Sequence, residues 1–261
     1  MVKKKNRITI TDAYTFFCKQ ILNNGEYVYK DDGDYILETL GNFAVINDPA
    51  DLKYKVKYEN YSADNLLSDI ADGKFDMVGN PVKADALYQY VNSLNDPGLN
   101  GFVYTYPNRI FEHFGLSQYN IMKERLTNNL GSNRAMTIIY DPYVDGDVKD
   151  IPCLQLLQAI IRNNNLSLHC YFRSNDMFGA FYSNMFLLTY FALKLRDDLN
   201  KEIINVNLGF DGIYYHSSSS HIYKSDIGQA KKMVNKWVKW IIFLLNLIFV
   251  IGIKLFLIKN V

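Results

Sequence analysis

The alternation of apolar and polar positions is clearest on either side of three consecutive asparagines at residues 163–165. In residues 166–173 every second side chain is of a core type, which is the period of a β-strand with two different faces. Residues 153–161 are mostly apolar, as expected of a strand that is covered on both sides. The short polar connection between the two runs predicts an antiparallel β-hairpin.

The register of this hairpin decides which side chains meet at its open end. A turn centred on Asn164 places Cys153 opposite Asn175. The thiol of Cys153 would then lie beside the polar segment 173–176. The hairpin therefore predicts that a sulfur atom and a guanidinium group, that of Arg173, come close together.

The remaining periodicity predicts one α/β domain with a mixed sheet. Helices are expected over residues 13–23, 65–70, 84–94, 117–130 and 177–199. Strands are expected over residues 35–47, 135–140, 203–208 and 212–215, with a turn at residues 217–220. The helix over residues 177–199 is apolar nearly all round, which predicts a position in the middle of the domain.

The end of the chain carries a second hydrophobic feature. Residues 240–258 form an apolar run, interrupted by Asn246 and Lys254, of about the length that spans a bilayer. Four lysines precede the run, and this charge bias keeps the main domain cytoplasmic. We expect one domain over residues 1–235 and a tail over residues 236–261 that is a candidate single transmembrane anchor. A buried or dimer-interface helix and an altered reading frame are the alternatives.

Composition narrows the classes of function. The 261 residues are enough for one sizeable core, and a formal net charge of +1 gives no reason to expect a nucleic-acid partner. Three scattered cysteines suit a reducing compartment rather than a disulfide framework. The sequence contains no pattern typical of a metal site.

The predicted meeting of Cys153 with Arg173 suggests covalent chemistry. A thiolate is the nucleophilic form of cysteine, and a nearby guanidinium lowers the pKa of a thiol. Arg173 and Ser174 could also hold a phosphate through charge-assisted hydrogen bonds. The pattern alone leaves open a buried core cysteine beside a surface arginine.

Several short motifs together resemble those of thymidylate synthases, most closely the short archaeal-type branch. The resemblance covers roughly residues 10–230 and is strongest after about residue 100. The motifs that carry it are Pro152-Cys153, Gln158, Arg173-Ser174-x-Asp176, Asn184, His221-x-Tyr223, Tyr104-Thr105-Tyr106 with Arg109, and Ser132-Asn133-Arg134. Relatives of the short branch end soon after the His-x-Tyr motif, so the hydrophobic tail looks appended.

The resemblance implies a fold, an assembly and a reaction. The fold would be a mixed sheet with a buried central helix, and two such sheets would pack back to back in a homodimer. The reaction would be reductive methylation of dUMP to dTMP, in which 5,10-methylenetetrahydrofolate donates both carbon and hydride. No metal would be needed, because the covalent thiol adduct activates the pyrimidine ring.

The resemblance also assigns roles to individual residues. Cys153 would add to C6 of the uracil. Arg173, Ser174 and the partner subunit's Arg134 would hold the phosphate, with Gln158 supporting the nucleotide site. Asp176 would help to order the folate and the base. Asn184 would recognise the N3–H and O4 edge, and His221 and Tyr223 would bind the deoxyribose 3′-hydroxyl.

Three positions depart from the family pattern or have no clear match. Tyr106 is the candidate general base, with a plain core aromatic as the alternative, and Pro107 follows it where glycine is usual. Asn133 replaces the first of two usual arginines. For the acidic residue that organises proton transfer, Asp64 is the first candidate and Glu59 the second.

Two other functions remain open from the sequence. A hydroxymethylase attacks the same C5 position without hydride transfer, and related enzymes acting on dCMP tend to carry aspartate at the place of Asn184. The other alternative is a catalytically inactive, membrane-tethered nucleotide-binding protein.

Overall fold

A computed structural model describes residues 7–30, 33–52, 55–75 and 82–235 of the chain. These residues contain a six-stranded mixed sheet in the spatial order β1-β2-β6-β5-β4-β3. The strands are β1 (Glu26–Tyr29), β2 (Tyr35–Ile46), β3 (Met136–Ile138), β4 (Leu154–Arg162), β5 (Asn165–Asp176) and β6 (Gly209–Tyr223). All neighbouring strands are antiparallel except β5 and β6, which run parallel.

The described helices cover one face of this sheet. They are α1 (Ile10–Asn24), α2 (Ala63–Ala71), α3 (Ala84–Asn92), α4 (Tyr106–Phe111), α5 (Gln118–Asn128), α6 (Pro142–Asp145) and α7 (Phe181–Glu202). Two single 3₁₀ turns occupy Tyr58–Asn60 and Ser93–Asn95. A further helix, α8, begins at residue 227 and is described to residue 235.

The prediction of a buried central helix is confirmed by α7, which lies between the sheet and the outer helices. On the sheet side, Phe181 of α7 and Phe17 of α1 both contact Tyr215 of β6, with ring centroids 5.1 Å and 5.5 Å apart. On the other side, α7 packs against α2, α3 and α5. The predicted start at residue 177 is too early, because the Asp176 carboxylate accepts the N–H groups of Phe178 and Gly179 and holds a turn there.

The hairpin of β4 and β5 forms as predicted, but its predicted register is wrong. Asn163 and Asn164 both have positive φ values, 51° and 57°, so the turn has two residues and Arg162 pairs with Asn165. Asparagine tolerates this left-handed conformation, which two-residue hairpin turns require. This turn moves the pairing by one residue, and a β-bulge between Leu154 and Leu156 moves it by one more. The backbone N–H of Arg173 therefore donates to the carbonyl of Cys153 at 2.9 Å, so Cys153 lies opposite Arg173 rather than Asn175.

The last strand also differs from its prediction. Residues 203–208 are not a strand, and the serines at residues 217–220 lie inside β6 instead of forming a turn. Parallel pairing with β5 on one side and antiparallel pairing with β2 on the other satisfies the main chain of this segment. The small side chains of Ser217 and Ser220 are buried in it. Pairing on both edges therefore outweighs the low strand propensity of serine.

The second face of the sheet carries a row of rings that no described helix covers. His169 stacks on Tyr214 at 4.4 Å between ring centroids, and Tyr171 stacks on His216 at 4.5 Å. Phe43 joins the row beside His216 and is 53% exposed. This arrangement gives the sheet one face buried by helices and one aromatic face open to a partner.

None of the helices in the described ranges is long and apolar enough to cross a membrane. The predicted anchor at residues 240–258 and the whole tail, 236–261, lie outside the described residues.

Candidate active site

The predicted site residues that surround Cys153 meet at one end of the sheet. Cys153 precedes the first residue of β4, while β5 and β6 end at Asp176 and Tyr223. The parallel strands β5 and β6 thus bring their carboxyl ends to the place where the antiparallel β4 begins. Lys30, which directly follows β1, lies at the same end because β1 and β6 both pair with β2 in antiparallel fashion.

The contact between Cys153 and Arg173 is present. The Nη2 atom of Arg173 lies 4.0 Å from the Sγ atom of the half-buried Cys153. The same guanidinium donates through Nε to the carbonyl of Pro152 at 3.0 Å and through Nη2 to that of Ile151 at 2.8 Å. These bonds hold the segment before β4 against β5 and keep the guanidinium beside the sulfur.

The electrostatic balance at Cys153 differs from the sequence-based expectation. Burial raises the pKa of the Cys153 thiol above its ordinary value, while the positive charges of Arg173 and Lys30 oppose that rise. The carboxylates of Asp150 and Asp176 push the pKa further upward. Burial and the two carboxylates therefore outweigh the two cations in the free protein, and the thiol is the favoured form.

Three tyrosines line the side of Cys153 that faces the helices. The hydroxyl of Tyr106 accepts the N–H of Leu154 at 3.3 Å, which places it beside the nucleophile. Burial raises the pKa values of Tyr106, Tyr104 and Tyr90. Tyr106 is therefore a neutral hydroxyl rather than a tyrosinate in the free protein.

The unusual Pro107 fits this arrangement. It lies in the first turn of α4, behind the N-cap Thr105, whose side chain accepts the N–H of Asn108 at 3.1 Å. Proline is tolerated in the first turn of a helix, because its missing N–H has no intrahelical partner there. Proline in place of glycine at position 107 is therefore compatible with the hydrogen bond between Tyr106 and Leu154.

Asn184 lies in a chain of buried polar side chains. Its Oδ1 accepts a hydrogen bond from the hydroxyl of Tyr90 at 2.7 Å, and its Nδ2 donates to Oδ1 of Asn175 at 3.4 Å. Asn175 in turn donates to the hydroxyl of Tyr215 at 3.3 Å. The network fixes the orientation of the Asn184 amide, which a residue that reads a base edge requires.

The ends of β5 and β6 are joined by side-chain contacts. Ser174 Oγ lies 3.1 Å from Nδ1 of the buried His221. The ring of His221 meets the ring of Tyr223 edge-on at 5.2 Å, and the Tyr223 hydroxyl accepts from Lys30 Nζ at 2.9 Å. These four residues form one polar wall beside the Cys153–Arg173 pair.

Asp176 lies at the inner end of this wall. Burial raises the pKa of its carboxyl group, and two main-chain N–H groups bonded to Oδ1 oppose that rise. Its Oδ2 atom makes no hydrogen bond within the described part of the chain. One carboxylate oxygen is therefore available to a ligand with an N–H donor.

A buried ionic network fixes the loop that leads to Cys153. Arg109 of α4 donates to the Asp145 carboxylate at 2.6 Å, and both side chains are almost completely buried. His113 bonds Asp141 at 2.7 Å, and the Asp141 N–H donates to Asp145 at 2.8 Å. The network ties the helix that carries Tyr106 to the segment before Cys153.

Two residues predicted for the nucleotide site lie elsewhere in the same chain: Arg134, expected to hold the phosphate, and Gln158, expected to support the site. Arg134 is exposed and precedes β3, which pairs with residues 156–158 in the middle of β4, so Arg134 lies beyond Gln158 from Cys153. Gln158 lies in the middle of β4 and donates to the carbonyl of Asn133 at 2.9 Å. At about 3.3 Å per strand residue, Gln158 lies roughly 16 Å from Cys153 along β4, and Arg134 lies more than about 20 Å away. Asn133 bonds Arg162 at 2.6 Å and so anchors this loop.

The two acidic candidates are also separate from Cys153. Asp64 lies in the first turn of α2, where its negative charge acts on Tyr190. Glu59 lies in the 3₁₀ turn Tyr58–Asn60. The carboxylates that act most on Cys153 are instead those of Asp150 and Asp176.

Sequence reasoning missed Lys30, Tyr90 and Asp150 as neighbours of the site. Lys30 and Tyr90 lie far from Cys153 in the sequence and have no motif around them. Asp150 lies only three residues before Cys153, so its proximity could have been inferred from the sequence. It belongs to an acidic loop, and nothing in the sequence distinguishes it from the other aspartates of that loop.

Comparisons of the sequence with known proteins give independent information about the family. The family model described as thymidylate synthase matches residues 83–244, more than half of the chain. A protein of Methanothermobacter marburgensis named "Putative thymidylate synthase" is 26% identical over 226 residues, which cover 86% of this chain and 95% of that protein. A protein of Methanocaldococcus jannaschii with the same name is 27% identical over 243 residues, covering 89% and 96%. One of Methanopyrus kandleri is 30% identical over 148 residues, covering 56% and 68%.

Proposed function

The chain belongs to the thymidylate synthase family, and on that premise we propose that it methylates dUMP to dTMP with 5,10-methylenetetrahydrofolate. The observation that carries the proposal is the 4.0 Å contact of Arg173 with Cys153. It places a nucleophile and a cation at a sheet end that also presents Ser174, His221 and Tyr223. This combination suits a nucleotide with an anionic group and a sugar hydroxyl.

The chain's own residues would act in sequence on the pyrimidine. The Cys153 thiolate forms a bond to C6 of the uracil, and the electron pair of the C5–C6 bond moves so that C5 becomes the nucleophile. Arg173 stabilises the thiolate before attack and contacts the phosphate. The neutral hydroxyl of Tyr106, held beside Leu154, would pass the proton that leaves C5 on towards solvent. At the end of the reaction the C5–C6 double bond re-forms, the bond from C6 to sulfur breaks, and Cys153 leaves as the thiolate.

The residues at the inner end of the site fit a folate. The available Oδ2 of Asp176 can accept an N–H of a pterin ring, as its Oδ1 accepts two main-chain N–H groups. When bound, methylenetetrahydrofolate would supply the one-carbon unit and the hydride. Asp176 would orient it, and the buried aromatic side chains nearby would exclude water from the transfer.

The base preference follows from Asn184. An amide can both accept from N3–H and donate to O4 of a uracil. Tyr90 donates to Oδ1 of Asn184 and Nδ2 of Asn184 donates to Asn175, so the amide is held in one orientation, and each of its two ends keeps capacity for one further hydrogen bond. We therefore assign dUMP, rather than dCMP, as the substrate.

Release of tritium from C5-labelled dUMP, measured together with dihydrofolate formation, tests the proposal. A synthase gives both signals in equal amounts, and Cys153→Ser abolishes both. Tritium release without dihydrofolate would identify a hydroxymethylase, because that reaction transfers no hydride. Binding of dUMP without tritium release would identify a nucleotide-binding protein that does not turn over.

A homodimer is part of the proposal. The aromatic face formed by His169, Tyr214, Tyr171, His216 and Phe43 is a surface that a second sheet can cover. Arg134 is too far from Cys153 in its own chain to act there, and a site in the partner subunit would give it a role. Two sheets packed back to back satisfy both observations.

Mixed dimers test this arrangement. As homodimers, Cys153→Ser subunits are expected to be inactive and Arg134→Ala subunits weakly active. When the two are mixed, unfolded and refolded together, about a quarter of the wild-type activity should return if each site takes its sulfur and its arginine from different chains. Absence of recovery, with dimers present by sedimentation, would place Arg134 outside the site.

Membrane attachment through residues 240–258 and a cytoplasmic location remain predictions from the sequence. Fractionation of the full chain and of a chain ending at Asn235, before and after detergent, checks both. An anchor requires that only the full chain sediments with membranes.

A further inference from the structure

Lys30 occupies a defined position beside the polar wall of the site. Its main-chain N–H donates to the carbonyl of Asp34 at 2.8 Å, and its own carbonyl accepts the N–H of Gly33 at 3.0 Å. These two bonds form the turn between β1 and β2 and fix where the side chain begins. The half-buried Lys30 side chain then extends to Tyr223.

Two contacts join Lys30 to Tyr223. The ammonium donates to the tyrosine hydroxyl at 2.9 Å and lies 4.8 Å from the centroid of the same ring. Tyr223 contacts His221, which in turn contacts Ser174, the neighbour of Arg173. A continuous row of contacts therefore leads from Lys30 to Ser174, the residue that follows Arg173.

The charge of Lys30 also reaches the nucleophile directly. It lowers the pKa of the Cys153 thiol and that of the Asp176 carboxyl group, in both cases against the effect of burial. Among the described residues, the titratable groups that share this environment are Arg173, Asp150 and Asp176 around Cys153, the tyrosines 90, 104 and 106 behind it, and Tyr223 with His221 beside Lys30.

We propose that Lys30 is a positioning residue of the Cys153 site, whose ammonium holds Tyr223 in place and offsets the negative charge that develops on the Cys153 sulfur. The guanidinium of Arg173, the other cation beside the sulfur, also donates hydrogen bonds to two main-chain carbonyls. Lys30 supplies a second cation whose ammonium is not tied to those carbonyls and whose charge acts on the sulfur in the same direction. The inference deepens the proposed function and rests on it only for its kinetic part.

Lys224 provides a matched control for Lys30. Lys224 directly follows the last residue of β6, and its ammonium lies 5.2 Å from the centroid of the Tyr35 ring. Its charge is not among those that act most on Cys153. Lys224→Met thus removes the same charge and the same kind of ring contact without touching the site.

The pH dependence of Cys153 alkylation by iodoacetamide is the primary measurement. Cys18 and Cys170 are buried and burial raises their pKa values, so Cys153 dominates the reaction, and Cys153→Ser gives the background. Lys30→Met should move the midpoint of the profile upward, Lys30→Arg should restore it, and Lys224→Met should leave it unchanged. Equal profiles for Lys30→Met and Lys224→Met, in proteins with equal melting temperatures, would overturn the proposal.

The kinetic measurement separates this inference from the proposed function. In an active wild-type enzyme, Lys30→Met should lower kcat/KM for dUMP by about tenfold at neutral pH, and raising the pH should recover part of the loss. Lys224→Met should not change it. A wild-type protein without tritium release would refute the proposed function, while the alkylation profiles would still decide the role of Lys30.

Discussion

Arg173 and Cys153 face each other across the β4–β5 pair, joined by a main-chain hydrogen bond of 2.9 Å and by a 4.0 Å approach of guanidinium to sulfur. The main-chain bond fixes the register, and the register places the cation beside the sulfur. The same guanidinium is held by the carbonyls of Ile151 and Pro152, so its position does not depend on a bound ligand.

Removing the guanidinium should make the thiol harder to ionise. In Arg173→Gln the charge that lowers the Cys153 pKa is lost while burial, which raises it, remains. The pH profile of Cys153 alkylation should therefore shift upward, and tritium release at neutral pH should fall by about one to two orders of magnitude. An unshifted profile would show that Arg173 does not act on the sulfur.

Asn184 should decide between uracil and cytosine. In Asn184→Asp the amide donor is replaced by an acceptor, which suits the amino group of cytosine and is repelled by O4 of uracil. We expect the ratio of kcat/KM for dUMP to that for dCMP to fall by about tenfold or more. Tyr90→Phe is the companion variant, because it removes the hydrogen bond that orients Asn184 without changing the amide. It should weaken dUMP binding without favouring dCMP.

The buried pair of Arg109 and Asp145 should matter for stability. Asp145→Ala leaves the Arg109 charge buried without its closest carboxylate, and breaking such a pair costs about 3–5 kcal/mol. Chemical denaturation measures the loss of unfolding free energy. The control is Asp72→Ala, which breaks a solvent-exposed pair with Lys74 and should lower the unfolding free energy far less. Equal losses in the two variants would contradict a role for burial.

The histidine row on the aromatic face should make the fold sensitive to mild acid. Burial lowers the pKa values of His169 and His216, and His216 Nε2 is buried without a hydrogen bond among the described residues. Because the folded pKa lies below the unfolded value of about 6.5, stability is fully present above that pH and is lost as the pH falls through the folded pKa.

Thermal unfolding between pH 8 and pH 5 checks this expectation. His216→Phe keeps a ring against Tyr171 and removes the titrating group, so its melting temperature should depend less on pH than that of the wild type. Asp141, whose pKa is lowered chiefly by the hydrogen bond from His113, loses its contribution only below about pH 4, outside the range measured. Identical slopes for both proteins would refute the role of His216.

The parts of this protein that follow from local pattern could be read from the sequence. The period of two in residues 166–173 identified β5, and the continuous apolar character of residues 177–199 identified the buried α7, since both patterns reflect which faces touch the core. The resemblance to thymidylate synthases, carried by short motifs, pointed to Cys153 and Arg173 before any coordinates.

The tertiary structure decided what depends on contacts between distant segments. A two-residue turn with two left-handed asparagines, together with a β-bulge between Leu154 and Leu156, placed Cys153 opposite Arg173. Pairing on both edges made the serines of β6 into a strand. Lys30 reaches the site only because β1 pairs with β2 and β2 with β6, an order that no local pattern contains. Local sequence determines which face of a segment is buried, but the charges that meet at a nucleophile are determined by how the strands pair.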